Sequence, residues 1–273
     1  MNIAQALTQA KTWGLDHLEA QTLLLHALGR DLHDRAWLLL HDQEAPSEDT
    51  LAFFKGLVQR RLQNEPIAYL TGSQDFHGLN LAVDPRVLVP RPDTETLVDW
   101  ALSLDLEQAN VLDLGTGSGA IALALKHARP SWDLIAVDAS PDALAVAQAN
   151  AQALGLTVHF SLGHWLSEVQ GPFELIVSNP PYIAEGDPHL PALIAEPRQA
   201  LVSGADGLDD IRQIISQAPS CLTAGGWLLL EHGFDQAPAV QDLLIQTGFA
   251  QVQSRKDLAG LERCTGGQWP EVK

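Results

Sequence analysis

Four consecutive residues, Asn179-Pro180-Pro181-Tyr182, carry the groups needed to receive a planar NH2. An amide or ring-amino nitrogen shares its lone pair with a π system and is a poor nucleophile. In the amide that resonance sets a rotation barrier of about 18–20 kcal/mol. The side-chain carbonyl of Asn179 and the main-chain carbonyl of Pro180 can each accept one N–H of such a group. Prolines stiffen the backbone and bring no competing N–H. Tyr182 can lie against a flat substrate group. The chemistry that would use this arrangement is methylation of an unreactive, conjugated nitrogen. A proline-rich turn after a strand has the same composition, so the reading depends on what positions these residues.

The apolar run Leu175-Ile176-Val177-Ser178 predicts a buried strand ending at Asn179. Ligands of open α/β sheets bind at such carboxyl ends. A second strand-like run, Asn110 to Leu114, leads into Gly115-Thr116-Gly117-Ser118-Gly119 and then a helical stretch from Ala120 to Lys126. Glycines there let a ligand approach the backbone, and the helix start behind them suits a carboxylate or phosphate. The next strand, Leu134 to Val137, ends in Asp138, placed to accept hydrogen bonds from both hydroxyls of a ribose. Together these predict an adenosine-containing cofactor; a tight turn beside a surface Asp is the plainer alternative. NAD and S-adenosylmethionine both fit the glycine loop and the acid. A hydride transferase also needs a cleft with a proton donor, and none stands out. Asn179 to Tyr182 instead suit transfer of a methyl cation to nitrogen.

Asp113 to Gly119, then Asp138, then Asn179 to Tyr182 resemble the class I methyltransferases that act on conjugated amino groups. Leu88-Val89-Pro90-Arg91-Pro92-Asp93-Thr94-Glu95 narrows the resemblance to the bacterial release-factor glutamine methyltransferases, the HemK-like family. Ala139 to Leu144, Glu196-Pro197, Gly204 to Leu208 and Leu229 to Gly233 match as well, so the likeness spans nearly the whole chain. Relatives that methylate a ribosomal-protein glutamine usually read Ser-Pro-Ile where Pro92-Asp93-Thr94 stand here. The resemblance implies a doubly wound α/β fold with a seven-stranded class I methyltransferase sheet. Gly115 through Gly119 would pass under the methionine end of S-adenosylmethionine, Asp138 would hold the ribose and Trp165 would lie near the adenine. Asn179 would touch cofactor and substrate, and Asn179, Pro180, Pro181 and Tyr182 would receive the glutamine of a Gly-Gly-Gln motif in class 1 release factors. The expected reaction is direct displacement with no dedicated general base. Two departures stand out: His164 replaces the usual Asp, and the stretch from His189 to Glu196 is short, with Ala195 where an aromatic is usual.

Composition fits a folded enzyme of 273 residues, 46% hydrophobic, with formal net charge −18. A phosphate-tracking protein normally shows a basic patch; Arg60-Arg61 with Lys55 reads as the solvated side of a helix. An adenine-N6 nucleic-acid methyltransferase would share Asn-Pro-Pro-Tyr but suits this charge poorly, and a non-catalytic module would not need Asn179 and Tyr182. Cys221 and Cys264 lie far apart and the ten histidines show no metal-ligand spacing. These features predict no metal, no nucleic acid, no membrane span and a cytoplasmic setting.

Residues 1–73 predict a helical docking domain, 74–90 a hairpin linker and 91–273 the catalytic domain. In the first, Asp16-x-x-Glu19 has the form of a capping box, and Ser47 caps a helix through Phe54 and Val58. Helices are also predicted over 142–154, 208–222 and 236–247, and strands over 157–161, 226–231, 249–254 and 262–265. Trp13, Trp37, Trp100 and Trp132 read as core or helix-packing residues. Glu231 and His232 read as a structural pair at a strand end. Gly266-Gly267-Gln268 repeats the family's substrate motif but reads as a loose turn.

Overall fold

Side-chain caps start the amino-terminal helices of the computed structural model, which describes residues 1–271. Asn2 Oδ1 accepts from the Gln5 N–H at 2.8 Å, and Gln5 Oε1 accepts from the Asn2 N–H at 3.0 Å, opening α1 (Ile3–Thr12) with a reciprocal capping box. Asp16 caps α2 (His17–Ala27) through the N–H groups of Leu18 and Glu19. The reciprocal half expected of Glu19 is replaced. After α3 (Arg35–Leu40), α4 (Glu48–Arg61) runs from its Ser47 cap, and Arg61 grips the Glu19 carboxylate at 2.9 and 3.1 Å. A two-pronged guanidinium satisfies both oxygens, which one backbone N–H cannot do. Arg61 is therefore a tie between helices rather than part of a solvated face.

With α5 (Ile67–Thr71), these helices bury Ile3, Leu7, Leu23, Leu24, Phe54 and Leu57 in one core. Trp13 does not join it: its ring is exposed, with the Lys55 ammonium 5.8 Å away. The unit so built comprises Met1–Ser73 with Ala192–Ala195.

The second unit takes Gln74–Pro191 and everything from Glu196 on. Its hairpin is shorter than predicted: β1 (Ser73–Phe76) pairs with β2 (Leu79–Ala82), and the chain then runs irregularly to α6 (Glu95–Ser103). Alternation follows: β3 (Asn110–Leu114), α7 (Ala120–Ala128), β4 (Asp133–Asp138), α8 (Pro141–Leu154), β5 (His159–Leu162) and β6 (Phe173–Ser178). The chain closes with α9 (Asp209–Gln217), β7 (Leu222–Glu231), α10 (Ala237–Thr247), β8 (Ala250–Lys256) and β9 (Glu262–Gln268). The seven strands lie in the order β5-β4-β3-β6-β7-β9-β8. The first five are parallel and β9 is antiparallel to both neighbours. Helices cover both faces, so β3 and β6 are near-continuous apolar runs. Leu112 and Ile176 face the side packed by Ile211, Ile214 and Val240, and Val111 and Leu175 the side packed by Trp100 and Leu123. This is the expected doubly wound class I sheet. The chain starts at its centre, steps outward to β5, then returns to the other flank of β3 with β6. That reversal makes the carboxyl ends of β3 and β6 the switch point.

Several boundaries differ from the sequence reading; β7, for one, begins at Leu222 rather than at 226. Gly155, in the left-handed region, ends α8, and Leu156 N–H bonds back to Ala151, so β5 begins only at His159. Pro219 stops α9 at Gln217, followed by a short 3-10 turn over Ala218–Ser220. Gly266-Gly267-Gln268 is no loose turn but the end of β9, paired with Leu229, Leu228 and Trp227 of β7. The strand runs through glycine there because there is no room for a side chain. A Cβ on Gly266 would stand 2.5 Å from Leu229 Cδ2 and 2.7 Å from the Leu228 carbonyl oxygen. Gly266→Ala is therefore expected to lower stability by roughly 1–3 kcal/mol, read from its urea midpoint. Gly56→Ala on α4, where an added Cβ meets nothing within 4 Å, should raise it by up to about 1 kcal/mol.

Candidate active site

Register across three strands builds the site. Leu114 pairs with Val137 of β4 and with Ser178 of β6. One residue further on, Gly115, Asp138 and Asn179 stand in a row along the carboxyl edge. Ser178 Oγ donates to the Leu114 carbonyl at 2.7 Å, and the N–H groups of Gly115 and Thr116 bond the Val137 carbonyl at 2.8 and 3.0 Å. The row is thus fixed by hydrogen bonds to main-chain carbonyls before any ligand arrives.

The glycine turn then bends back toward Asp138. Gly115 and Gly117 have φ of 69° and 56°, left-handed values that favour glycine. The Gly117 N–H donates to Asp138 Oδ2 at 2.8 Å, and the Ser140 N–H to Oδ1 at 2.8 Å. One backbone donor on each oxygen fixes the carboxylate and leaves lone pairs on both. Burial pushes the Asp138 carboxyl above the usual carboxylate range, and these backbone hydrogen bonds oppose the rise.

A cleft of about 250 Å³ opens over this row. Gly115, Gly117, Asp138, Trp165, Asn179 and Pro181 line it, with Val87, Leu88 and His164 among their neighbours. Trp165 sits at φ 50°, a strained value for a bulky residue. The strain is held by Asp210, which accepts from Trp165 Nε1 at 3.0 Å, and by packing on the glycine turn: a Cβ on Gly115 would stand 3.1 Å from the indole ring. His164 lies edge-on to that ring, centroids 5.6 Å apart. Of the remaining sequence-predicted residues, Thr116, Ser118, Gly119, Pro180 and Tyr182 lie outside the cleft lining. Thr116 Oγ1 donates to Asp113 at 2.6 Å, the Ser118 carbonyl accepts from Asn150, and Gly119 starts α7 against Ala147. Tyr182 points its hydroxyl to Glu231 Oε1 at 3.2 Å. His232 and Glu231 do not form the pair read from the sequence. His232 Nε2 meets Thr265 Oγ1 at 2.6 Å while Glu231 faces Tyr182.

Residues the sequence reading passed over hold the site in shape. Asn150 on α8 bonds both main-chain groups of Ala82 and the Ser118 carbonyl, joining hairpin, helix and glycine turn. Glu196, buried, accepts from the Val89 N–H at 3.1 Å and pairs with Arg91. Asn179 Nδ2 donates to Thr94 Oγ1 at 3.1 Å. Glu196-Pro197 and the segment through Thr94 were visible as motifs; their joining across 107 and 85 residues of sequence was not.

A family model described as "Methyltransferase small domain" matches residues 93–207, and one described as "PrmC N-terminal domain" matches residues 2–72. A curated relative from Bordetella pertussis, named "Release factor glutamine methyltransferase", is 48% identical over 260 residues, covering 93% of this chain and 95% of that one. A relative of the same name from Pseudomonas aeruginosa is 48% identical over 257 residues, covering 92% of each chain. Among solved structures, a methyltransferase from Pyrococcus furiosus aligns with a TM-score of 0.57 at 20% identity, covering 78% of this chain and 98% of that one. The last likeness establishes the fold alone. Among the described residues no group of His, Cys, Asp and Glu is arranged to hold a metal, and no helix is long and apolar enough to cross a membrane.

Asp113, under the glycine turn, yields a prediction about stability. Its Oδ2 accepts from Thr116 and from the Ala122 N–H, whereas Oδ1 has no hydrogen-bond partner among the described residues. Burial pushes its carboxyl up to about 7. The folded chain then keeps a proton that the unfolded chain releases near its ordinary value, about 3.9. Stability should therefore fall as pH rises from about 4 to about 7. Asp113→Asn, neutral throughout, should lose this part of the slope, so urea midpoints should favour the variant more at pH ~8 than at pH ~5.

Proposed function

We propose, from the premise that this chain belongs to the release factor glutamine methyltransferases, that it methylates the side-chain amide nitrogen (N5) of the glutamine in the Gly-Gly-Gln motif of class 1 peptide chain release factors. The methyl donor is S-adenosylmethionine. The observation that carries the reading is the row Gly115, Asp138, Asn179 at the switch point, with Asn179 presented to the cleft.

The residues present suit this cofactor. Gly115 and Gly117 bring bare backbone to the cleft, and a Cβ on Gly117 would meet nothing within 4 Å, so that space is free for a ligand. The two fixed oxygens of Asp138 match the hydroxyls of a ribose. Trp165, strained and clamped by Asp210, offers a flat apolar wall for the adenine. His164, in the place where relatives usually carry Asp, stands against that ring and offers an imidazole there instead of a carboxylate.

Bound there, the cofactor supplies an electrophilic methyl on a sulfonium. The protein's part is to hold the acceptor. Asn179 spends its NH2 on Thr94, which leaves Oδ1 free to accept one N–H of the glutamine carboxamide. The Pro180 carbonyl is assigned the other. Two acceptors orient the nitrogen toward the methyl and stabilise the positive charge that grows on it. An N-alkylated amide cation is a strong acid and gives its proton to water, so no side chain is assigned as base. A sulfonium needs no further activation, and no metal is assigned.

The net charge of −18 supports a protein acceptor over a phosphate backbone. The buried, unpaired Cys221 and Cys264 support a reducing compartment, the cytoplasm. Exposed Leu39 and Leu40 on α3 support a docking role for the first unit.

Incubation with methyl-labelled cofactor and purified release factor should place one methyl on the Gly-Gly-Gln glutamine by mass spectrometry; no label there would defeat the reading. Asn179→Ala should cut the turnover rate by roughly 10²-fold or more with cofactor affinity little changed. Asp138→Ala should instead weaken cofactor binding, read by calorimetry.

A further inference from the structure

The carbonyl of Asn179 serves the acceptor only if the side-chain amide sits one way round. Nothing within Asn-Pro-Pro-Tyr decides that, because the terminal torsion of Asn is broad and roughly two-fold. The decision is made by residues remote in sequence. Asn179 Nδ2 donates to Thr94 Oγ1 at 3.1 Å. Thr94 is 4% exposed and Glu231, at the end of β7, 1%. Glu231 Oε1 accepts the Tyr182 hydroxyl at 3.2 Å. Its other oxygen, Oε2, has no hydrogen-bond partner among the described residues. The Thr94 hydroxyl favours the ionised form of this carboxylate.

A buried carboxylate oxygen with no donor is costly and calls for a reason. Hydroxyl arithmetic gives one. Thr94 has a single proton. If it turns that proton to Glu231, its oxygen can only accept, and only the NH2 edge of Asn179 can face it. Tyr182 spends its own proton on the same carboxylate. Both motif residues that flank the two prolines are thereby referred to one buried acid.

We propose that Glu231 is a positioning residue for methyl transfer: acting through Thr94 and Tyr182, it holds the Asn179 amide with NH2 inward and carbonyl toward the acceptor. This inference rests on the methyltransferase reading above and adds to it how the acceptor is aimed.

Protonation would reverse the polarity. The groups facing Glu231 are Tyr182, Thr94, Asp93, Arg263 and Cys264. Arg263 is engaged by Asp93 at 3.3 Å and Asp257 at 3.0 Å, so it offsets the carboxylate only from a distance. Burial pushes the Glu231 carboxyl up to about 7. Below that pH a neutral acid can donate to Thr94, which then offers its proton to Asn179 and lets the amide turn over. Turnover should fall as pH drops through about 7.

The test compares four proteins with release factor and labelled cofactor. Thr94→Val removes the hydroxyl at constant shape, Thr94→Ser retains it, and Glu231→Gln gives a side chain that donates at every pH. Thr94→Val and Glu231→Gln should lose roughly tenfold or more in kcat while cofactor Kd is unchanged. Thr94→Ser should restore near-wild-type kcat. Wild type should show the acidic limb near pH 7, and Glu231→Gln should lack it. Wild-type kcat in Thr94→Val, or the same limb in Glu231→Gln, would overturn the inference while leaving the activity intact. Absence of transfer by the wild type would instead overturn the reading beneath it. Should Glu231→Gln fail to fold, the Thr94 pair decides the matter.

Discussion

Parallel pairing of β3 with both β4 and β6 is the constraint on which the site depends. It sets Leu114 level with Val137 and with Ser178, two positions far apart in the chain. A strand slipped by one residue would turn every side chain to the opposite face. That would carry Leu112 and Ile176 out of one core layer and Val111 and Leu175 out of the other. Register is therefore held by two apolar layers at once, each fully buried leucine or isoleucine contributing roughly 1.5–3 kcal/mol. The three site residues one step beyond that row, Gly115, Asp138 and Asn179, inherit its precision without supplying any of it.

What the edge offers a ligand is carboxyl and carbonyl oxygen in an apolar setting, and this has consequences for the acids. Asp113, Asp138 and Glu231 all lie at or just inside the carboxyl ends of strands, and burial raises all three carboxyls. They differ in compensation. Asp138 receives one backbone donor per oxygen, while Asp113 and Glu231 each leave one oxygen without a partner. The best-satisfied acid is the one that lines the cleft. The two less satisfied lie behind it, under the glycine turn and behind Tyr182. An unpartnered buried carboxyl oxygen is costly, and it sits where it faces neighbouring hydroxyls rather than where it would meet a ligand.

How much of this was legible in the sequence follows from where each signal is stored. β3 was read with its observed limits and β6 with its observed end because a buried parallel strand is a near-continuous apolar run, and glycine or Asn-Pro closes it abruptly. Gly115, Asp138 and Asn179 were readable for the same reason: each is the first after such a run, whereas Trp165 came from the resemblance alone. Errors arose where tertiary contacts overrode local preference. Gly266 and Gly267 resemble a turn, yet lie in β9, where Leu229 and Trp100 at the first and Phe249 and Val252 at the second occupy the room of a side chain. Glu19 has the spacing of a capping residue, yet Arg61 of another helix supplies a stronger partner. Nothing local marks Asn150, Glu196 and Thr94 as clamps, though the last two lie in visible motifs. Their partners lie 68, 107 and 85 residues away, a distance over which periodicity holds no information.

The same three clamps explain why a loop can do work that needs fixed geometry. Segments outside helices and strands are ordinarily mobile and exposed. Here the stretch from Ala82 to Thr94 is tied at Ala82 by Asn150, at Val89 and Arg91 by Glu196, and at Thr94 by Asn179. Three of these four ties are to main chain or to a buried side chain, so solvent competes little for them. Val87 and Leu88, within the tied stretch, reach the cleft. Aiming a weakly nucleophilic nitrogen gains rate only if the aim survives thermal motion, since an error of about 1 Å can cost a hundredfold. Long-range hydrogen bonds, each joining segments that the sheet has already brought together, supply that rigidity where no regular element could follow the path.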